Sequence, residues 1–374
     1  MRIITTIAFL IFSFAAVSQY NIVIEITRLP TSTPTEKVYL AGNFNNWNPK
    51  DENYRLQLHS QDRYAIILKN VAANTYEFKF TQGAWEKVET TADGKNIANR
   101  TVTIVSDTVL MLSIDGWSEG KPREIMHTAT PEVHILDSNF HIPQLNRDRR
   151  IWIYLPKGYN ESKEKYPVLY MHDGQNLFDA ATSPFGEWGV DEALDSAVKK
   201  CIVVGIDNGQ VKRMNEYNPY EYAKFGKGEG DQYIDFLAKT LKPYIDKKFR
   251  TKKDSEHTTV AGSSMGGLIS LYAAIKYPKV FGKAGVFSPA FQTSPKLLTD
   301  IPRMVSRSKH KKLRIYFYAG EQESKEMVPN MLGVFELMRK HAGAKMEARI
   351  NAEGKHNEPT WRQEFPTFYN WIMN

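Results

Sequence analysis

Cysteine is nearly absent: among 374 residues only Cys201 occurs, inside the apolar run CIVVGI. No intramolecular disulfide can form, and no cysteine follows the N-terminal apolar segment to carry a lipid anchor. A hydrophobic run of the roughly 20 residues needed to cross a bilayer is also missing. The nearest approach is MRIITTIAFLIFSFAAVS, residues 1–18. There an early Arg2, an apolar stretch of about ten residues and small residues at the end have the form of a cleaved export signal. The expected location is therefore periplasmic or secreted, with no integral membrane segment in the mature chain. Charge of one sign is not concentrated either. The 49 Lys and Arg stand against 42 Asp and Glu, scattered along the chain, for a net charge of +7. That pattern excludes the basic stripe of a nucleic-acid-binding protein. Internal repeats and low-complexity tracts are absent.

What is present has two rhythms. From about 20 to 115, short segments rich in Val, Ile, Tyr and Thr (KVYLAG, YAIILKNV, TYEFKF, RTVTIV, TVLMLSI) alternate with turn clusters such as GNFNNWNPKDEN. This spacing predicts a small antiparallel, immunoglobulin-like all-β sandwich over 19–115. A polar linker with Pro122 and Pro131 follows at 116–132. From 133 to 374 the apolar strands RIWIYLP, YPVLYMHDG, CIVVGID, HTTVAG, KAGVFSP, LRIYFYAG and MEARINAEG alternate with helix-period segments. That alternation predicts an α/β domain with a mainly parallel sheet. In DQYIDFLAKTLKPYIDKKF, the residues Tyr233, Phe236, Leu237, Thr240 and Leu241 share the face that packs on the sheet.

One junction carries chemistry. TTVAGSSMGG contains Gly262-Ser263-Ser264-Met265-Gly266, a G-x-S-x-G string between a β-branched strand and the helix MGGLISLYAAIKY. A tight strand-to-helix turn lifts the serine above the sheet edge, and the flanking glycines make room for it. Ser264 is thus a nucleophile candidate, and a serine hydroxyl needs a base to take its proton. His356, in the loop NAEGKHNEPTW between the last strand and the last helix, is the best placed of the nine histidines. An acid must then hold the imidazole. Aspartate is missing from LRIYFYAGEQESKEM, which offers Glu321, Glu323 and Glu326. Glu323 is preferred, with Glu321 in reserve. The chain order Ser, acid, His is that of an α/β-hydrolase.

An acyl intermediate also needs backbone donors for its oxyanion. Met265 N–H is one candidate, and Gln175 or Gly174, in VLYMHDGQNLFD, is the other. The long aromatic loop DNGQVKRMNEYNPYEYAKFGKGEGD offers Arg213, Glu216, Tyr217 and Tyr220 as substrate contacts or as packing groups of an ordered loop. Trp188 is a further candidate for the pocket wall.

The strings RRIWIYLPKGY, YPVLYMHDGQNLFD, WGVDEALD, YIDFLAKTLKPYIDKKFRT and AGSSMGGLISLYAAIKYPKVFGKAGVFSPAF resemble one esterase family. Its members include enterochelin esterases, feruloyl and acetyl-xylan esterases of carbohydrate esterase family 1, and esterase D. The likeness covers about 133–374. It implies an α/β-hydrolase fold and a triad of Ser264, His356 and an acid near Glu323, although relatives carry Asp where this chain has Glu. No metal or cofactor is implied. EKVYLAGNFNNWNP, YEFKF, WEKVE and NRTVTI are similar to carbohydrate-binding modules of families 20 and 48 over about 35–112. That likeness implies Trp47, Trp85, Lys79 and Asn99 as glycan contacts, while a lone tryptophan in such a sandwich is commonly core. The resulting expectation is an exported serine esterase that cleaves feruloyl or acetyl esters on polysaccharides through an acyl-enzyme. The alternatives are a siderophore trilactone esterase and a catalytically inactive glycan-binding surface protein.

Overall fold

The computed structural model describes residues 19–374 apart from 31–32, 34–36, 46, 61–62, 119–126, 184–185 and 224. The expected export signal and residues 119–126 of the expected linker lie outside the described residues. The chain divides into two compact units, residues 1–124 and 125–374.

In the first unit, strands form at the five predicted segments; Gln19–Arg28 and Gln57–Ser60 join their sheets, and Glu89–Thr90 pairs with Gly116–Trp117 in a separate two-stranded sheet. One sheet has four strands and another has three. They share a core of Ile22, Ile24, Ile26, Leu40, Phe78, Phe80 and Ile104. The expectation of a purely antiparallel sandwich needs correction. Gln19–Arg28 pairs antiparallel with Arg63–Ala72 but parallel with Thr108–Ser113. Ile22, Ile24 and Ile26 alternate inward, so this first strand supplies core side chains from the middle of its sheet, with a partner on either edge.

The second unit is built on an eight-stranded sheet. Its strands are β1 (Val133–Ile142), β2 (Arg147–Tyr154), β3 (Val168–His172), β4 (Ile202–Ile206), β5 (Thr258–Ser263), β6 (Lys283–Phe287), β7 (Arg314–Gly320) and β8 (Lys345–Asn351). Their spatial order is β1-β2-β4-β3-β5-β6-β7-β8. The pairs β1–β2 and β2–β4 are antiparallel and all others are parallel. β3, β4 and β5 are buried at every position, as expected of parallel strands covered on both faces. Their sequences accordingly run apolar without alternation.

Three helices position the chemistry: α1 (Met265–Lys276), α2 (Met327–His341) and α3 (Glu358–Met373). α1 is buried from Met265 to Ile275. Its hydroxyls are partnered: Ser270 Oγ donates to Gly266 O at 2.7 Å and Tyr272 Oη to Asp231 Oδ1 at 2.8 Å, as buried polar groups require. The predicted amphipathic segment forms a helix over residues 230–248, with a π-turn at Leu237–Leu241 just before Pro243. Tyr233, Phe236, Leu237 and Leu241 on its inner face are fully buried. The predicted helix over WGVDEALDSAVKK shrinks to Val190–Asp195.

Candidate active site

The carboxyl ends of β5, β6 and β7 lie side by side, and the next loop, after β8, returns to the same edge. At the end of β5 the chain turns sharply into α1 at Ser264, which has φ 58° and ψ −121°. Backbone of this kind costs a non-glycine residue about 1–3 kcal/mol and persists only where surrounding bonds enforce it. Here Ser264 N–H donates to Phe287 O at 2.9 Å, and Ser264 O accepts from Leu268 N and Ala290 N. The flanking glycines are required by close approach. A β-carbon on Gly262 would lie 3.0 Å from Gly266 C and from His172 Cδ2, and one on Gly266 would lie 3.2 Å from His172 Cβ. The same contacts show that the loop after β3 is packed against the turn.

Just past β6, Ser288 is also at positive φ (43°). Its hydroxyl donates to Glu323 Oε1 at 2.6 Å and accepts from Trp361 Nε1 at 2.9 Å. Glu323, three residues beyond β7, takes a second bond on Oε1 from Gly320 N–H at 2.7 Å. Its other oxygen, Oε2, lies 2.7 Å from His356 Nδ1. The carboxylate is 1% exposed and the imidazole 37%. A buried acid thus holds one ring nitrogen by a short charge-assisted bond, which fixes the tautomer, and Nε2 makes no hydrogen bond among the described residues. His356 also packs edge-on against Trp361, with ring centroids 5.1 Å apart. Of the two glutamates weighed from the sequence, Glu323 reaches the imidazole. Glu321 is exposed and bonds Asn351 O only through its backbone. Ser264 Oγ makes no hydrogen bond among the described residues.

Met265 begins α1, and Gly174–Asn176 forms a single 3₁₀ turn after β3. The first N–H groups of both lack intrahelical acceptors, as the oxyanion candidates Met265, Gln175 and Gly174 require. The turn is anchored by Asp173, whose φ is 56°. Arg213 grips its carboxylate at 2.7 and 2.8 Å, and Asn208 Nδ2 adds a bond of 2.8 Å. Burial would raise the Asp173 carboxyl, but Arg213 and Asn208 outweigh it and hold the group below the usual carboxylate value.

These bonds bear on the loop residues that the sequence left open between substrate contact and packing. Arg213 commits its guanidinium to Asp173 and holds the loop. Tyr217 is fully buried, its ring under Arg213 and its hydroxyl accepting Asp173 N–H at 3.3 Å, so it is a packing group. Glu216 is likewise buried, paired with Arg147 and Arg149. Trp188 is 2% exposed and stacked on Trp361, which makes it part of the floor beneath the imidazole loop and not a pocket wall. Tyr220 is partly buried and donates to Asp300 at 2.9 Å.

Sequence reasoning missed Ser288, Trp361 and Glu358. The strings FSPAF and HNEPTW flank the site in sequence, but nothing in their composition marks these three. Glu358 accepts from Asn176 Nδ2 at 3.0 Å and so ties the start of α3 to the turn after β3. Burial, with Asp173 nearby, raises its carboxyl to about 7. Beneath the turn, burial pushes the His172 imidazole down to about 4, so it is neutral. Its Nδ1 lies 2.9 Å from Tyr233 Oη.

In the first unit, Trp47 and Trp85 stand together, ring centroids 6.2 Å apart, with Trp85 41% exposed. Lys79 is half-buried and donates to Ile97 O, and Asn99 donates to Glu77 at 3.2 Å.

Strand order, a strained serine between strand and helix, and an acid-held imidazole define an α/β-hydrolase. Residues 142–372 match the family described as "Putative esterase", and the chain belongs to that family. It is a carboxylic ester hydrolase. An endo-1,4-beta-xylanase/feruloyl esterase of Xylanibacter ruminicola is 28% identical over 217 residues, covering 56% of this chain and 27% of that one. The chain thus spans about a quarter of that relative. An iron(III) salmochelin esterase of Escherichia coli is 26% identical over 180 residues, covering 44% of this chain and 40% of that one. The enterobactin esterase of Shigella flexneri has a similar fold, with a TM-score of 0.53 at 16% identity over 91% of this chain and 89% of that one.

Proposed function

We propose that this is an exported serine esterase that hydrolyses feruloyl or acetyl esters on polysaccharides. The observation that carries the mechanism is the 2.7 Å bond from buried Glu323 to His356, at the sheet edge where Ser264 is held in strained backbone. In this reading Ser264 Oγ attacks the ester carbonyl carbon while His356 Nε2 takes its proton. The N–H groups of Met265 and of Gln175 or Gly174 stabilise the oxyanion, a contribution of about 3 kcal/mol or more per donor. The tetrahedral species collapses, and His356 passes the proton to the departing alcohol. Water then attacks the acyl-enzyme, His356 accepts its proton, and the acid is released as Ser264 is restored.

The polysaccharide assignment is supported by the feruloyl esterase relative and by the paired Trp47 and Trp85, which offer apolar faces for sugar rings. The siderophore reading is supported by the salmochelin esterase relative. A hydrolysis panel of methyl ferulate, acetylated xylan and a cyclic catechoyl trilactone separates them. Preference for the trilactone refutes the polysaccharide reading. A fluorophosphonate probe should label the wild type and leave Ser264→Ala unlabelled; labelling of neither supports an inactive glycan-binding protein instead.

A further inference from the structure

We propose a second binding site, for a ligand carrying two or more phosphate or carboxylate groups, in a cleft at the amino-terminal edge of the parallel strands. The cleft has a volume of about 830 Å³, and seven of its lining side chains are cationic while two are carboxylates. Lys283 and Arg314, the first residues of β6 and β7, form its floor. Strands of five to seven residues separate it from the serine edge, about 15–20 Å at 3.3 Å per residue.

Part of this charge has a structural use. Lys283 donates to Ile372 O at 2.6 Å, Arg314 to Trp371 O at 2.7 Å and Lys199 to Met373 O at 2.9 Å, so three cations cap the carboxyl end of α3. A helix end supplies only about half a negative charge, which leaves most of their charge uncompensated. Arg314 Nε is buried without a partner. Burial, with Arg314 and Lys199 beside it, pushes the Lys283 amine down to about 8. The rim adds Lys165 and Lys252, whose side chains make no ion pair among the described residues, and Lys312, which lies 3.8 Å from Glu256. Clustered cations in a concavity focus the field on an oxyanion and donate several hydrogen bonds to it. A ligand with two or more oxyanion groups engages floor and rim together. The inference is independent of which ester is cut.

Calorimetric titration of the full chain with tripolyphosphate and with citrate, in 0.1 M salt, tests it. The wild type should bind at least one of them, and the double variant Lys252→Glu, Lys312→Glu should bind at least about tenfold more weakly. Hydrolysis of p-nitrophenyl acetate by that variant should be unchanged, because both residues lie at the edge away from Ser264. Tighter binding of tripolyphosphate supports a phosphorylated ligand, and tighter binding of citrate supports a polycarboxylate. No binding of either anion, or equal affinity in the double variant, overturns the proposal.

Discussion

Replacing Glu358 by glutamine should make the protein more stable, but only at neutral and alkaline pH. Glu358 is 8% exposed, and its carboxyl is raised from 4.5 to about 7, chiefly by burial. The folded chain therefore keeps the proton over a range in which the unfolded chain has released it. Below pH 4.5 both states carry the proton and the group exerts no linkage effect. As pH rises from 4.5 to about 7 the folded state loses stability relative to the unfolded one, and above that the loss is complete. At about 1.4 kcal/mol per pH unit, the two units from pH 5 to about 7 amount to roughly 3 kcal/mol. Glutamine has no proton to lose, and its carbonyl can still accept the bond from Asn176. The stability difference between Glu358→Gln and wild type should thus move in the variant's favour by about 2 to 3 kcal/mol between pH 5 and pH 8. Urea unfolding of both proteins at four pH values measures it. A difference that stays constant across that range would show that Glu358 is ionised in the folded protein and would refute the reasoning.

Glu323→Gln should lower kcat on p-nitrophenyl acetate by roughly 10³–10⁴-fold, because the amide can favour the wrong imidazole tautomer, while Glu321→Gln stays within about twofold. The reverse ranking would move the acid to Glu321. Gly320→Ala puts a β-carbon 2.2 Å from Gly354 O and must part the two loops that bear Glu323 and His356. Steady-state kinetics should show a fall in kcat with little change in KM. Asp173→Asn removes the charge partner of the partly buried Arg213 guanidinium and should cost about 1 to 3 kcal/mol in urea unfolding. The further change Arg213→Met should recover a large part of that loss.

Much of the second unit was legible because its signals are local. Strands buried on both faces must be apolar throughout, helices lying on them must show a 3.6-residue period, and a serine lifted out between strand and helix needs glycine on both sides. These constraints act within about ten residues, so Ser264, His356 and the pair Glu321 and Glu323 could be named from the chain alone. The first unit's N-terminal strand was not resolved from its sequence, because its parallel neighbour Thr108–Ser113 lies some 85 residues away. Only the tertiary structure separated Glu323 from Glu321, since that depends on which carboxylate is buried against Ser288 and Gly320. It likewise showed that Arg213 is committed to Asp173, that Tyr217 and Trp188 are sealed in the core, and that Glu358 bridges two loops of the site. The sequence by itself determined which residue types stand at the ends of the strands. Which of them meet, and which are withdrawn from water, was decided by packing between segments far apart in the chain, because burial and hydrogen bonding depend on neighbours that local sequence does not contain.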